Sequence, residues 1–425
     1  MESIITDDFQ VFIKPVGARC NLRCGYCYYV DKGEIEETTN EAMAESTSWL
    51  CRARRSSFSE GKKIGEAKHS DYSVSDCRGE PVCSPKDKSV MNDKTLEHCI
   101  WQLFSASTGD TVLFTWHGGE PMLAEIDFYQ KVVSMQKRLA PHGKHFLNGI
   151  QTNGTLITKK WAAFFAENKF IVGISIDGPA DFHNAMRYSK NKSGSFEKTL
   201  TGYRLLRGYG VNPEILCVVN SCNVKHPLVV YDFFKNLGAQ YITFLPLVEK
   251  SNTEVTKVSE SSVPSLEFGI FLSAIFDEWV KNDIGSVKIQ IVEEALRTAF
   301  NQEHSLCIFR ERCGGVPVIE QNGDFYPCDH FVEKDRLLGT IHEHSLEYFL
   351  EHPVQKAFGD KKSNSLPQYC IQCEVRAMCN GECPKNRFIT SPDGEPGLNY
   401  LCEGYKYFFN HCKPFVEAVS VVWKK

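Results

Sequence analysis

No apolar run in the sequence approaches the roughly 20 residues that a helix needs to cross a bilayer, so no membrane span is expected. The opening residues, Met1-Glu2-Ser3-Ile4-Ile5-Thr6-Asp7-Asp8, lack the basic and apolar regions of a secretory signal, and a cytoplasmic location is the expectation. Positive charge is in deficit: 48 Lys and Arg face 53 Asp and Glu, a net charge of −5 at pH 7. That balance argues against a nucleic-acid binder held by phosphate contacts. Residues 31–90 lack apolar periodicity. They are rich in Ser, Lys, Glu and Arg, and such composition buries too little surface to offset chain entropy. This stretch is expected to be a disordered surface insertion, with one short helix over 41–54. Its Cys51, Cys77 and Cys83 have no ligand spacing and are not taken as a metal site.

What the chain does have is cysteine, 18 in 425 residues, a length sufficient for two or three domains. In a cytoplasmic protein clustered cysteines point to metal rather than disulfides. They fall into two groups, Cys20 to Cys27 and Cys307 to Cys402, and between residues 100 and 306 there are only Cys217 and Cys222. The first group reads Cys20-Asn21-Leu22-Arg23-Cys24-Gly25-Tyr26-Cys27, the pattern C-x3-C-x2-C. Thiolates are soft ligands that select zinc or iron-sulfur clusters, and both normally take four protein ligands. Here no fourth Cys or His follows closely. The spacing leaves two alternatives: a four-iron cluster with one iron open to a non-protein ligand, or a zinc knuckle with a distant fourth ligand.

Strands and helices alternate around this loop. Residues 9–15 read as a strand leading into the cysteines. After a helix starting at Asn92 or Asp93 and running to about residue 105, strands are expected at 111–116, 146–152, 170–176, 214–220 and 241–247. Helices at 127–139, 158–168, 196–209 and 227–237 separate them. Six apolar strands between amphipathic helices predict an α/β fold, a parallel sheet covered on its outer face and rolled into a partial (β/α)6 barrel of the TIM type. In such barrels the chemistry sits at the C-terminal ends of the strands. Four polar or glycine-rich loops follow strands in this way: the cysteine loop, Trp116-His117-Gly118-Gly119-Glu120-Pro121, Gln151-Thr152-Asn153-Gly154 and Ser175-Ile176-Asp177-Gly178-Pro179.

The cysteine loop and Gly118-Gly119-Glu120-Pro121 together resemble the radical S-adenosylmethionine (SAM) enzymes. The resemblance implies that Cys20, Cys24 and Cys27 hold a [4Fe-4S] cluster whose open iron takes the SAM amino and carboxylate groups. It implies that Gly118, Gly119 and Glu120 hold the SAM amino group, and that Ser175 and Asp177 meet its carboxylate and ribose region. Arg187 is open between a role toward SAM or substrate and a solvated surface position.

After 249–306, expected to form a linker and helices, residues 307–425 carry nine more cysteines, eight of them from Cys307 to Cys402, and a C-terminal helix. The run C-x9-G-x4-C, gap, C-x2-C-x5-C-x3-C, gap, C resembles the SPASM domain, which carries auxiliary clusters in peptide-modifying radical SAM enzymes. By spacing alone a pair of structural zinc sites is also open. The resemblance implies one auxiliary [4Fe-4S] cluster on Cys307, Cys313, Cys328 and Cys383, and a second on Cys370, Cys373, Cys379 and Cys402. With the radical cluster that makes three. The barrel would comprise residues 1–30 and 91–248. Cys99, Cys217, Cys222 and Cys412 have no assigned role and are expected as buried small hydrophobes.

Cys328 is followed by Asp329, and Tyr326-Pro327-Cys328-Asp329-His330, together with Lys14-Pro15-Val16-Gly17 and Asn380-Gly381-Glu382-Cys383-Pro384, resembles the anaerobic sulfatase-maturating enzymes. That resemblance covers nearly the whole chain outside 31–90. It implies oxidation of one Cys or Ser of a sulfatase polypeptide to Cα-formylglycine by a 5′-deoxyadenosyl radical, with Asp329 as the base, Tyr29 lining the substrate pocket, and reduced flavodoxin or ferredoxin as electron donor. A monomer acting on no nucleic acid or membrane is expected, with a cleft for the substrate peptide between barrel and cysteine domain. Another SPASM peptide maturase, forming thioethers or a quinone cofactor, would share both cysteine groups. A non-catalytic electron carrier or zinc scaffold would not need the open triad together with Gly118-Gly119-Glu120-Pro121.

Overall fold

The computed structural model describes residues 9–29, 90–251 and 257–423. The expected insertion, apart from residue 90, lies outside the described residues, as do the helix at 41–54 and Cys51, Cys77 and Cys83.

The six expected strands are present and all parallel: β1 (Phe12–Ile13), β2 (Thr111–Trp116), β3 (His145–Thr152), β4 (Ile171–Ser175), β5 (Glu214–Val219) and β6 (Tyr241–Pro246). Helix α1 (Asp93–Ala106) precedes β2. The crossovers that follow carry α2 (Glu125–Leu139), α3 (Lys159–Glu167), α4 (Ala180–Met186) with α5 (Phe196–Gly208), and α6 (Pro227–Asn236). Side chains along β2 and β4 to β6, including Phe114, Trp116, Val172, Ile174, Ile215, Cys217, Val219 and Phe244, are buried under the helices, as a covered parallel sheet requires. Asn92, of the two candidate caps, accepts the first-turn bond from Thr95 N at 2.9 Å. Within the core, Asn148 accepts from Trp116 Nε1 at 2.8 Å and exchanges amide bonds with Gln136, so the polar atoms on β3 are paired.

The sheet continues beyond the six. β7 (Lys288–Ile289) adds to β6, and β8 (Val318–Ile319) adds in parallel to the other edge of β1, followed by antiparallel β9 (Asp324–Tyr326) and β10 (Gly339–Thr340). The order is β10-β9-β8-β1-β2-β3-β4-β5-β6-β7, with β7 and β10 as its ends, which is an open barrel. The boundary expected at residue 307 is therefore crossed by main-chain hydrogen bonds, from Gln10 N to Gly315 O, Phe12 N to Pro317 O and Lys14 N to Ile319 O, at 2.8, 2.9 and 2.9 Å.

Residues 249–306 do more than link. Helix α7 (Ser265–Asn282) buries Phe268, Phe271, Leu272, Ile275 and Trp279. It crosses the C-terminal helix Cys402–Trp423 backbone to backbone: a Cβ on Gly269 would meet Gly404 O at 2.3 Å, and one on Gly404 would meet Ser265 O at 2.0 Å. Phe268 packs edge-on against Tyr405, ring centroids 5.7 Å apart. Among the described residues no helix is long and apolar enough to cross a membrane.

Candidate active site

Trp116, Ile13 and Ile319 lie side by side in register on β2, β1 and β8. The next residues along these parallel strands, His117, Lys14 and Glu320, therefore form a row at the C-terminal rim, and the cysteine loop leaves from that row. His117 N donates to Ile13 O, Gly119 N to Gly17 O and Glu120 N to Arg19 O, at 2.8, 2.9 and 2.8 Å. A Cβ on Gly118, where φ is +123°, would stand 2.8 Å from Gly17 O, and one on Gly119 would stand 2.2 Å from Arg19 O. The close approach that these glycines allow is thus to the cysteine loop itself.

Glu120 is fully buried. Its carboxylate accepts from Thr152 Oγ1 at 2.7 Å, Asn153 N at 2.8 Å and Met122 N at 3.1 Å. Burial pushes this carboxyl up to about 7 although the three bonds oppose the rise. Both oxygens are engaged within the protein, so the side chain fastens the loops after β2 and β3. Asn153 in turn donates to Asn21 Oδ1 at 2.9 Å and lies 3.8 Å from Cys20 Sγ.

Asp177 is a second hub. Its carboxylate accepts from Arg187 Nε and Val218 N, both at 2.9 Å, and from the Tyr26 hydroxyl. Arg187 is 7 % exposed, which removes the solvated-surface alternative; it lies at the end of α4, 5.2 Å from the Tyr26 ring. The 186–189 segment also holds the loop by main chain, with Met186 O accepting from Gly25 N and Tyr188 O from Arg23 N, both at 2.8 Å. Ser175 is buried at the end of β4, where its hydroxyl accepts from Gln151 Nε2 at 3.2 Å. Residues expected to touch SAM thus divide into those that brace the loop (Glu120, Asp177, Arg187) and those that shape its surroundings (Gly118, Gly119, Ser175).

The triad suits an iron-sulfur group by its donor chemistry. Burial, helped by the Glu120 charge, pushes the Cys20 thiol up to about 12, and burial pushes Cys24 up to about 11 against the opposing Arg187 cation. Thiolates here need a metal cation to hold them. A cleft of about 460 Å³ opens beside Cys20, bordered by Arg19, Asn21, Leu123 and 189–191.

Asp329 sits over the rim row. It is 6 % exposed and ion-paired to Lys14, which is fully buried. The Tyr28 hydroxyl donates to one carboxylate oxygen, and the Tyr29 hydroxyl lies 3.3 Å from the other and 3.3 Å from Glu320 Oε1. The Lys14 ammonium lies 3.5 Å from the centroid of the Tyr29 ring. Burial alone would raise the Asp329 carboxyl, but the Lys14 ammonium paired with it overrides this and holds it well below the usual carboxylate range. Asp329 is therefore an ionised, tightly positioned acceptor. Tyr29, expected to line the substrate pocket, is 3 % exposed and lies packed under Asp329; Tyr28, at 39 %, is the tyrosine that reaches the open side. His117 stacks on Phe12 at 4.7 Å, and burial pushes its imidazole down to about 4, leaving it neutral. Lys14, Tyr28 and His117 carry no role in the sequence motifs alone. The available signal was their place beside those motifs: a lysine ending an apolar strand, an aromatic after the third cysteine and a histidine before the glycine pair.

The eight C-terminal thiols gather into two sets. Cys328 lies within electrostatic reach of Cys307 and Cys313, and Cys383 of Cys328 and Cys307; Cys402 lies within reach of Cys370 and Cys373, and Cys379 of Cys402 and Cys370. All four of the latter line one small cavity. Cys99, Cys217 and Cys412 are buried as expected; Cys222 is instead exposed, in the turn after β5.

Comparison with known proteins adds independent findings. Residues 83–226 match the model of the radical SAM superfamily, and residues 284–374 match that of the SPASM iron-sulfur cluster-binding domain. A serine-type anaerobic sulfatase-maturating enzyme from Bacteroides thetaiotaomicron is 38% identical, covering 96% of this chain and 91% of the relative. A cysteine-type anaerobic sulfatase-maturating enzyme from Clostridium perfringens is 29% identical over 95% of this chain and 96% of the relative. Among solved structures, native anSMEcpe with bound AdoMet and Cp18Cys peptide superposes with a TM-score of 0.77 at 27% identity, covering 96% of this chain and 98% of that one. SuiB of Streptococcus suis, at a TM-score of 0.58 and 14% identity, shares the fold.

Proposed function

The chain belongs to the anaerobic sulfatase-maturating enzymes, radical SAM enzymes with a C-terminal SPASM domain, and from that membership we propose how its residues oxidise one Cys or Ser of a sulfatase to Cα-formylglycine. The observation that carries the proposal is the ionised Asp329 held by Lys14, Tyr28 and Tyr29 at the same rim from which the Cys20-Cys24-Cys27 loop departs.

SAM and iron-sulfur clusters are the cofactors. A [4Fe-4S] cluster on Cys20, Cys24 and Cys27 would, with SAM, supply a 5′-deoxyadenosyl radical that takes one Cβ hydrogen from the substrate. Gly118, Gly119 and Ser175 would border SAM, while Glu120, Asp177 and Arg187 would act through the loops they fasten. Asp329 takes the substrate thiol or hydroxyl proton, and a carboxylate already ionised and fixed in place suits that task. Lys14 keeps it ionised; Tyr28 and Tyr29 aim it. Loss of the hydrogen atom, the proton and one further electron leaves an aldehyde from Ser, or a thioaldehyde from Cys that water converts with release of hydrogen sulfide. The two auxiliary thiol sets, one of which includes Cys328 beside Asp329, are where we place the acceptor of that electron, giving three clusters in all. We further propose a cytoplasmic monomer supplied with electrons by reduced flavodoxin or ferredoxin.

The test is anaerobic: reconstituted protein, SAM, a strong reductant and peptides carrying C-x-P-x-R or S-x-P-x-R, with mass spectrometry for formylglycine and 5′-deoxyadenosine. Both products are expected, and the peptide that is converted identifies the accepted residue. Deoxyadenosine without a modified peptide from either series would overturn the substrate assignment.

A further inference from the structure

Two cations, Lys362 buried and Arg387 half-buried, lie among the C-terminal thiols without a carboxylate in ion-pair contact among the described residues. Lys362, on the helix Pro353–Asn364, is 0 % exposed, and its ammonium donates to Cys307 O at 3.0 Å and Ile308 O at 2.7 Å. Arg387 opens the strand β11 (Arg387–Thr390). Its guanidinium donates to Gly381 O at 2.8 Å, Asn380 O at 2.9 Å and Glu382 O at 3.2 Å, and also to the carbonyl of Lys362. Carbonyl oxygens satisfy the N–H groups but do not neutralise the charges. A buried ammonium without a counter-ion is unfavourable, so an anion beside Lys362 would stabilise its charge. The carboxylate of Glu382 accepts from the Asn386 and Asn399 amides instead of pairing with either cation.

The thiols supply the anion. Lys362 lies within electrostatic reach of Cys307, Cys313 and Cys383, all in the first set. Arg387 reaches Cys313 in the first set and Cys370 and Cys379 in the second. Four thiolates on a four-iron cluster leave it net negative, and reduction adds a further negative charge. A fixed cation nearby therefore favours the reduced form and raises the reduction potential.

We infer that Lys362 and Arg387 are the built-in counter-charges of the two auxiliary clusters, Lys362 serving the first and Arg387 standing between both, and that they hold the potentials high enough for these clusters to accept the substrate's electron. This rests on the reading that the eight cysteines carry two clusters.

The experiment is a reductive titration of the reconstituted full chain followed by electron paramagnetic resonance, with the radical cluster's signal identified by its change on adding SAM. In Lys362→Met one auxiliary midpoint moves to more negative potential; in Arg387→Gln both move. The charge-keeping Lys362→Arg and Arg387→Lys stay near wild type, and the SAM-sensitive signal stays put in all four. Neutral variants that lose auxiliary iron while the charge-keeping ones retain it support the same assignment. Unmoved midpoints in iron-replete neutral variants would overturn the inference, as would charge-keeping variants that shift, or lose iron, as far as the neutral ones. Iron analysis of the wild type separates the two levels: about 12 iron atoms per chain keeps the two-cluster reading, whereas about 4 removes it and the inference with it.

Discussion

Replacing Lys14 by methionine keeps much of the side chain's bulk and removes its charge. The ammonium is fully buried and the Asp329 side chain is 9 % exposed, so water cannot take over as partner. Breaking a buried pair by deleting one member costs about 3–5 kcal/mol. At about 1.4 kcal/mol per tenfold, that tilts the Asp329 protonation equilibrium roughly 100- to 1000-fold or more toward the neutral acid. In the wild type the carboxyl is depressed, so the stabilisation from the pair is present above the ordinary carboxylate pKa of about 3.9 and is lost as pH falls through the still lower folded value. No acid limb from this group is therefore expected near neutrality. In Lys14→Met burial acts without its main opponent and the carboxyl returns from well below the ordinary carboxylate range to about that range. Formylglycine formation should then gain an acid limb, falling about tenfold per pH unit below roughly pH 4 where the wild type stays flat, and leave reductive SAM cleavage largely intact. The assay follows both products by mass spectrometry across a pH series. A flat profile at wild-type rate would refute the reasoning, and equal loss of deoxyadenosine would place Lys14 in the SAM site instead.

Glu120→Gln puts an amide N–H₂ opposite Thr152, Met122 or Asn153, where a carboxylate accepted; one buried donor loses its partner, and a drop in thermal stability equivalent to about 1–3 kcal/mol is expected by calorimetry. Arg187→Met leaves Asp177 charged and unpaired under the cysteine loop, with an expected loss of about 3–5 kcal/mol and of iron from the triad; unchanged iron content and melting temperature would count against the bracing role. Gly404→Ala drives a methyl into the Ser265 carbonyl, so α7 and the C-terminal helix must part; about 1–3 kcal/mol of denaturant stability should be lost while turnover per folded, iron-replete molecule is unchanged.

The cysteine triad, the Gly118-Gly119-Glu120-Pro121 turn and the alternation of β2 to β6 with their helices were legible because each is a short-range pattern of spacing or period. The short strands β8 to β10 were not: two or three residues carry no period, and only pairing with a neighbour makes them strands. For the same reason the unity of barrel and cysteine domain was hidden, since it rests on β8 docking against β1. Lys14 escaped notice because a lysine is ordinarily solvated, and its partner Asp329 lies 315 positions away. Arg187 stood undecided until the fold placed Asp177 beside it. The two tyrosines after Cys27 look equivalent in sequence; the rim geometry sends Tyr29 inward and Tyr28 outward.

The central claim is that a substrate Cβ hydrogen is removed while Asp329 takes the heteroatom proton. The most direct measurement uses a sulfatase-motif peptide deuterated at Cβ of its Cys or Ser, incubated anaerobically with reconstituted protein, SAM and reductant. Deuterium should appear in 5′-deoxyadenosine in step with formylglycine, and Asp329→Ala should still form deoxyadenosine while losing most of the formylglycine. Formylglycine arising without deuterium in deoxyadenosine, or at full yield from Asp329→Ala, would contradict the account.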